Sequence, residues 1–420
     1  QELINTDVHR MEYAMTMCKI CNNPISSFIN FGKMPIANGF LTEQDFENEY
    51  YFDMDVAFCE SCKMVQLVNQ PDREQMFNKN YAFFSSTSKF MQKHFKSFYE
   101  FLNTNYLKSD DPFVVEMGSN DGIMLKNFKE NSIRHLGIEP SDNVAKIAQD
   151  QGINTWIEFF DEKVANKIIE KYGQADVFYS ANVMCHIPYL HSIAAGIKKL
   201  LKPSGVLAFE DPYLGDIIQK TSYDQIYDEH VFFFSVNSVN NVFNPHGLEV
   251  IDVQSQHTHG GSMRYILGHT GHYPINDNVN KQLAFEEKLQ LNEKKTYNKF
   301  KQNVENSKDD LIKLLKQLKQ ANKKIIGYAA TSKSTTILNY CGITPDLIDF
   351  ITDTTPIKMG KYSPGVHIPV VSYLDHFKKP FPDYVFLFAW NHMEEIMQKE
   401  ADFNNKNGKW ITHVPNVKIM

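Results

Sequence analysis

The sequence predicts an α/β protein in three parts: a cysteine-bearing N-terminal module, a central nucleotide-binding domain on a parallel sheet, and a reduced second domain of the same kind. Three observations carry that expectation. Two C-x-x-C pairs, Cys18/Cys21 and Cys59/Cys62, fall in one short stretch. An apolar run at 114–117 enters a glycine-bounded turn, 118–122, and the next apolar run ends in Glu139. From Lys324 the pattern of apolar run, small-residue turn and acid-ended run begins again and reaches Asp353. A chain of 420 residues exceeds one ordinary core, and the composition shifts suggest units at 1–84, 85–275 and 276–420.

Composition bounds the function. A net charge of −7 gives a nucleic-acid partner no electrostatic support. A nucleotide-sized ligand is still admissible, because loops and helix ends bind phosphate without net positive charge. No run approaches the ~20 apolar residues of a membrane span, and residues 1–10 lack a signal core. The expectation is a cytoplasmic protein with no membrane partner; the sequence leaves its oligomeric state open, a monomer being plausible. Six cysteines in so long a chain make no disulfide scaffold.

In chain order, Cys18, Cys21, Cys59 and Cys62 can supply four thiolates in a tetrahedron, which suits a closed, structural zinc site. A redox dithiol is the alternative, and two pairs in one small module argue against it. Between the pairs, Tyr50, Phe52, Met54, Val56 and Phe58 alternate with more polar residues as a half-buried strand, and 65–67 can return beside it. Tyr81 and the hydroxyls 85–88 lead into a helical stretch at 89–106. They read either as a linker and cap or as a loop that places Tyr81 over a pocket.

The central turn follows. At the carboxyl end of a parallel strand it lets backbone approach a small ligand, and a side chain on Gly118 would block that approach. Glu139, about twenty residues on, can take both hydroxyls of a ribose. The turn is not G-x-G-x-x-G, which argues against a dinucleotide. The run 176–182 is the next strand, and Asn182 and His186 stand at its end, where ligands of open parallel sheets sit. A lone histidine is more often structural than catalytic, and the strand-end position is what raises His186 as a candidate. Then comes the cluster Tyr223-Asp224-Gln225-Ile226-Tyr227-Asp228-Glu229-His230. A helix there would set Ile226 and Tyr227 beside His230. His230 has the ordinary pKa of a base near neutrality, and Glu229 could orient it. Two further strands, 248–253 and 262–268, would complete a seven-stranded sheet. The pair His257/His259 between them reads as a loop lining the site or as plain surface, not as a metal site. Residues 278–324 read as a helical connector with an apolar stripe. In the last part Lys333 stands where a phosphate could be neutralised, and Asn391 ends a buried strand.

Glu116-x-Gly118-Ser119-Asn120-x-Gly122 followed by Gly137-Ile138-Glu139-Pro140 resembles the S-adenosylmethionine (SAM) site of class I methyltransferases. Over nearly the whole chain the motifs resemble SAM-dependent sugar C-methyltransferases acting on nucleotide-linked 4-keto deoxysugars. The carriers are the cysteine pairs, Met34-Pro35-Ile36-Ala37-Asn38, Tyr81 with Ser85-Ser86, the glycine turn, 182–188, Tyr227 to His230, Gly260-Gly261-Ser262-Met263-Arg264, 327–333, Pro364-Gly365 with His367-Ile368-Pro369, and Trp390-Asn391. The resemblance implies a zinc-binding module, a class I SAM methyltransferase domain and a C-terminal Rossmann-like domain that takes part in nucleotide-sugar binding. It implies cofactor binding by Glu116, Gly118, Asn120, Asp121, Glu139 and Asn182. It makes His230 the base beside the ketone, with Tyr227, Glu229, His186 and Tyr81 around it, and Tyr227, Lys333 and Asn391 on the substrate. Residues 327–333 lack the Gly-x-Gly expected of the last domain. Two other readings stay open: an O- or N-methyltransferase on a similar sugar, and a non-catalytic scaffold.

Overall fold

The computed structural model describes residues 16–76, 89–378 and 380–420. Tyr81 and Ser85-Ser86 lie outside the described residues. Strands β1 (Ser26–Pro35), β2 (Tyr51–Phe58) and β3 (Val65–Leu67) form an antiparallel ribbon beside the cysteines. The alternation in β2 does what it predicts: Phe52, Met54 and Val56 are buried on one face.

The central sheet is built from β4 (Phe113–Met117), β5 (Arg134–Ile138), β6 (Thr155–Trp156), β7 (Ala175–Ala181) and β8 (Leu201–Pro212), all parallel. Strand β9 (Phe232–Phe233) leaves this domain and pairs with β3, so the N-terminal sheet takes its fourth strand from the middle of the chain. Strands β10 (Leu248–Gln256) and β11 (Ser262–His269) return antiparallel. The order is β6-β5-β4-β7-β8-β11-β10, seven strands as the sequence predicts. Every residue of β4 is buried, as a strand covered by helices on both faces must be. Helix Glu162–Tyr172 shows how the cover forms. The Asp161 carboxylate caps it by accepting from Val164 N at 2.8 Å, and Val164, Ala165 and Ile168 face inward. Burying each apolar side chain of the larger kind contributes about 1.5–3 kcal/mol.

The connector forms two helices, Asp277–Lys288 and Lys294–Gln320. The second buries Tyr297, Phe300, Val304, Leu311 and Leu315 as one stripe. Tyr297 stacks on Phe58 of β2, so this stripe ties the first and last parts into one apolar cluster.

The last sheet comprises β12 (Ile325–Tyr328), β13 (Ile351–Asp353), β14 (Val370–Ser372), β15 (Tyr384–Leu387), β16 (Lys409–Thr412) and β17 (Lys418–Ile419), in the order β14-β13-β12-β15-β16-β17. All pairings are parallel except β16 with β17. In place of the missing glycine, Ala329 adopts φ +69°. Its amide donates to Thr352 O at 2.9 Å, and Ala330 N donates to Asp353 Oδ2 at 2.7 Å. Those bonds hold a conformation that costs an L-residue about 1–2 kcal/mol.

Candidate active site

The strand order reverses between β4 and β7, so the crossover helices on either side diverge and leave a crevice at the carboxyl ends. A cavity of about 740 Å³ opens there, with walls from all three parts of the chain. On the central-domain side lie Glu116, Gly118, Asn120, Glu139 and Asn182. Gly118 has φ +70° and Asn120 φ +49°. A Cβ on Gly118 would stand 2.3 Å from Val183 Cγ2. The backbone conformation and Val183 each require a glycine here, and the residue lines the cavity. Asp121 is buried but is not on the cavity wall.

The Glu139 carboxylate accepts from Asn120 N at 2.9 Å and from Ser141 N at 2.8 Å, which fixes the turn to the end of β5. Burial raises its pKa, and the two amides oppose that rise. Glu116 lies deeper, and burial with the nearby Glu139 and Asp121 carboxylates holds it well above the usual carboxylate range. Asn182, at φ +54°, donates its amide to Glu210 O at 2.7 Å and joins the turn to β8.

The opposite wall carries the Tyr-Asp-Glu-His segment. It is not the helix its spacing allowed. A single turn at Tyr223–Gln225 precedes a second tight turn, in which His230 N donates to Tyr227 O at 3.0 Å. That turn still brings the rings of Tyr227 and His230 within 4.1 Å, centre to centre. His230 Nδ1 lies 2.8 Å from Gln225 O, so it carries the proton and donates, and Nε2 keeps its lone pair. The orienting group is thus a main-chain carbonyl and not Glu229. Burial, with His186 nearby, holds His230 well below the usual histidine range. Burial likewise pushes His186 down to about 3. Glu229 accepts from Asn38 Nδ2 at 2.7 Å, and Asp228 Oδ1 accepts from Ala37 N at 2.8 Å. Burial raises Glu229 to about 7 and, with Glu229 beside it, Asp228 to about 8.

The third wall comes from the last domain. Lys333 Nζ donates to His259 O at 3.0 Å and to Asn391 Oδ1 at 3.3 Å, and lies 4.8 Å from the Trp390 ring centre. Burial pushes it down to about 8. Lys358 faces the same cavity, its Nζ donating to Ala330 O at 2.7 Å. His259 lines the cavity as well, whereas His257 is exposed and off its wall. Tyr227, Glu229, His230, His186, Lys333 and Asn391, grouped from the sequence, line one cavity. Sequence reasoning missed Lys358 as a wall residue, and it missed Asn38 and Gln225 as anchors. Asn38 did stand inside a quoted motif; Lys358 had no local signal.

The four cysteines have the geometry of a zinc site. All four Sγ atoms lie within 4.8 Å of one another. Cys18 and Cys62 are 3.5 Å apart, Cys21 and Cys59 3.4 Å. A tetrahedron with Zn–S of ~2.3 Å has edges of about 3.7 Å. Gln66 Nε2 and Asn23 Nδ2 point at Cys18 and Cys21 at 3.0 and 3.2 Å, donors suited to thiolates. The residues fit a closed four-thiolate zinc.

Three family profiles match in succession: a zinc-binding domain over residues 18–77, a methyltransferase domain over 88–253 and a C-methyltransferase C-terminal domain over 257–415. The chain is 30% identical over 406 residues to the C-methyltransferase NovU of Streptomyces niveus, covering 96% of each chain. This chain belongs to the C-methyltransferases. It is a SAM-dependent C-methyltransferase with a structural zinc module. Among solved structures it is similar to a methyltransferase in complex with the Haloferax volcanii Trm112 activator (14% identity, 44% of this chain and 94% of that one, TM-score 0.35). It is also similar to a SAM-dependent methyltransferase of Clostridium acetobutylicum (10% identity, 44% and 94%, TM-score 0.34). No described helix of this C-methyltransferase is long and apolar enough to cross a membrane.

Proposed function

We propose that this C-methyltransferase methylates C3 of a nucleotide-linked 4-keto deoxysugar through an enolate. The observation that carries the reading is His230, whose Nε2 lone pair is fixed by the Nδ1 bond to Gln225 O on the wall of a cavity large enough for two ligands. In this reading SAM supplies an electrophilic methyl on its sulfonium. Glu139 takes the ribose hydroxyls, and Glu116, Gly118, Asn120, Asp121 and Asn182 shape the rest of the cofactor pocket. Asp121 does so from behind the wall.

His230 Nε2 removes the proton from C3, and the electron pair of that C–H bond moves to the C4 oxygen. Tyr227 and His186, with Tyr81 by resemblance, surround the carbon and the oxyanion. Such donors are the parts an enolate needs. Glu229 stands beside His230 in the chain and on the same wall, where Asn38 holds its carboxylate. SAM held by the central-domain wall would supply the methyl to the enolate carbon, in line with the carbon–sulfur bond, and would be released as the neutral thioether. The residues position the two partners. Lys333, Asn391 and Lys358 face the nucleotide's phosphates. Residues 1–84 brace the Asp228-Glu229 pair through Ala37 and Asn38, residues 85–275 hold the cofactor, and 276–420 hold the nucleotide.

The test is nuclear magnetic resonance of the product from a panel of nucleotide 4-keto sugars. The expected methyl is on C3. A methyl on oxygen or nitrogen overturns the reading.

A further inference from the structure

Among the described residues there is a second set of metal-type donors, two of them, His186 and His230, on the cavity wall and the third, Cys185, buried behind it. Cys185 and His186 sit in the turn that follows β7, and His230 faces them across the wall. Cys185 Sγ and a ring nitrogen of each histidine lie within 4.8 Å of one another. We propose that Cys185, His186 and His230 form a second metal site, which takes a borderline-soft divalent cation such as zinc and blocks the cavity.

The donor chemistry favours that class. Two imidazoles and a thiolate suit zinc or cobalt and disfavour magnesium and calcium, which want oxygen. Zinc with bonds of ~2.3 Å to sulfur and ~2.0–2.1 Å to nitrogen wants these donors about 3.4–3.7 Å apart, so side-chain adjustments of about 1 Å close the set. The outer contacts are those of a ligand set. His230 Nδ1 donates to Gln225 O and presents Nε2. Burial and the Asp211 carboxyl beside it hold the Cys185 thiol well above the usual range, so the cation must displace that proton to solvent on binding. His186 and His230 both border the cavity, so the fourth position stays open. Three protein ligands and an open position describe an exchangeable site, unlike the closed four-thiolate module. A bound cation takes the Nε2 lone pair of His230. That consequence for turnover rests on the function proposed above; the binding itself does not.

The experiment uses the full chain with its four-thiolate zinc in place, freed of loosely held metal, and titrated with cobalt(II). Expected are one further equivalent per chain and a near-ultraviolet thiolate-to-cobalt band, chased by added zinc. Cys185→Ser loses the band and weakens cobalt binding about tenfold or more. Its fold is checked by an unchanged SAM titration and one retained zinc. Cys185→Ala, checked the same way, stands in if the serine variant does not fold. No second equivalent in the wild type, or a band undiminished in the folded Cys185 variant, overturns the site. If the cation binds and methyl transfer nonetheless continues at saturation, the site stands and the assignment of His230 as base falls.

Discussion

Glu139 and Asp353 do the same mechanical work in two sheets, and only one of them borders the cavity. That contrast makes Glu139→Ala an informative perturbation. Glu139 Oε2 accepts from Asn120 N at 2.9 Å and Oε1 from Ser141 N at 2.8 Å, leaving about two of its four lone-pair sites for a ribose diol. A hydrogen bond to a charged group is worth about 1.5–3 kcal/mol net. Two such bonds are lost with the carboxylate, and relief of its buried charge offsets part of that loss. SAM affinity should fall by about 1–3 kcal/mol, or about 5- to 150-fold at 1.4 kcal/mol per tenfold. The two buried amides also lose their acceptor, at a stability cost of about 1–3 kcal/mol. Asp353 is the internal control. It accepts from Ala330 N and Thr355 N, each at 2.7 Å, and lies off the cavity wall. Asp353→Ala should lose comparable stability in denaturant and keep its SAM affinity. Titration calorimetry of both variants decides. Unchanged affinity in Glu139→Ala removes the acid from the ribose, and equal losses in both variants reduce the effect to general loosening.

Three other outcomes are expected. Cys18→Ser or Cys59→Ser should each lose the single structural zinc in metal analysis, with a lower unfolding midpoint, because the metal supplies folding energy that so small a module lacks; full zinc in either refutes the four-thiolate site. Lys333 is pushed down to about 8, so its ammonium is charged below that pH and discharged above it. The KM for the nucleotide sugar should therefore rise above about pH 8 while kcat holds. Lys333→Arg, which stays charged, should flatten the rise; a rise unchanged in that variant assigns it to another group. His230→Ala should lose about 10²–10⁴ in turnover while SAM titrates normally, and comparable turnover in the variant refutes the base.

The sheets were legible because periodicity and glycine turns are local. Apolar runs at 114–117 and 325–328 become β4 and β12, and the acids that end the next strands land where the pattern puts them. Conformational details inside the turns were less legible. Ala329 at φ +69° does the work of a glycine because Thr352 and Asp353 hold its neighbours in place, a cost met by tertiary bonds that no dipeptide pattern announces.

The site walls were least legible, and the reason is their sequence separation. Ala37 and Asn38 reach Asp228 and Glu229 across 191 positions, and Thr335 reaches Ala37 across 298. Those bonds explain why the segment 227–230 is a turn rather than a helix. Its acids are claimed by the first module and its flanking strand β9 is claimed by β3, so the backbone between them is stretched across a domain boundary. Thr336 holds the other end, through Ile226 O at 2.6 Å. A segment pinned by three parts of the chain reaches its geometry only when all three are folded. Zinc loss in a module that lines the cavity chiefly through Asn38, Gln70, Pro71 and Asp72 should therefore lower turnover beyond what lost stability explains. In the Cys59→Ser variant, methyl transfer measured well below its unfolding temperature should fall more steeply than the folded fraction. If activity tracks the folded fraction one for one, the module is a staple only, and the bonds from Ala37 and Asn38 have no part in setting the geometry of Glu229.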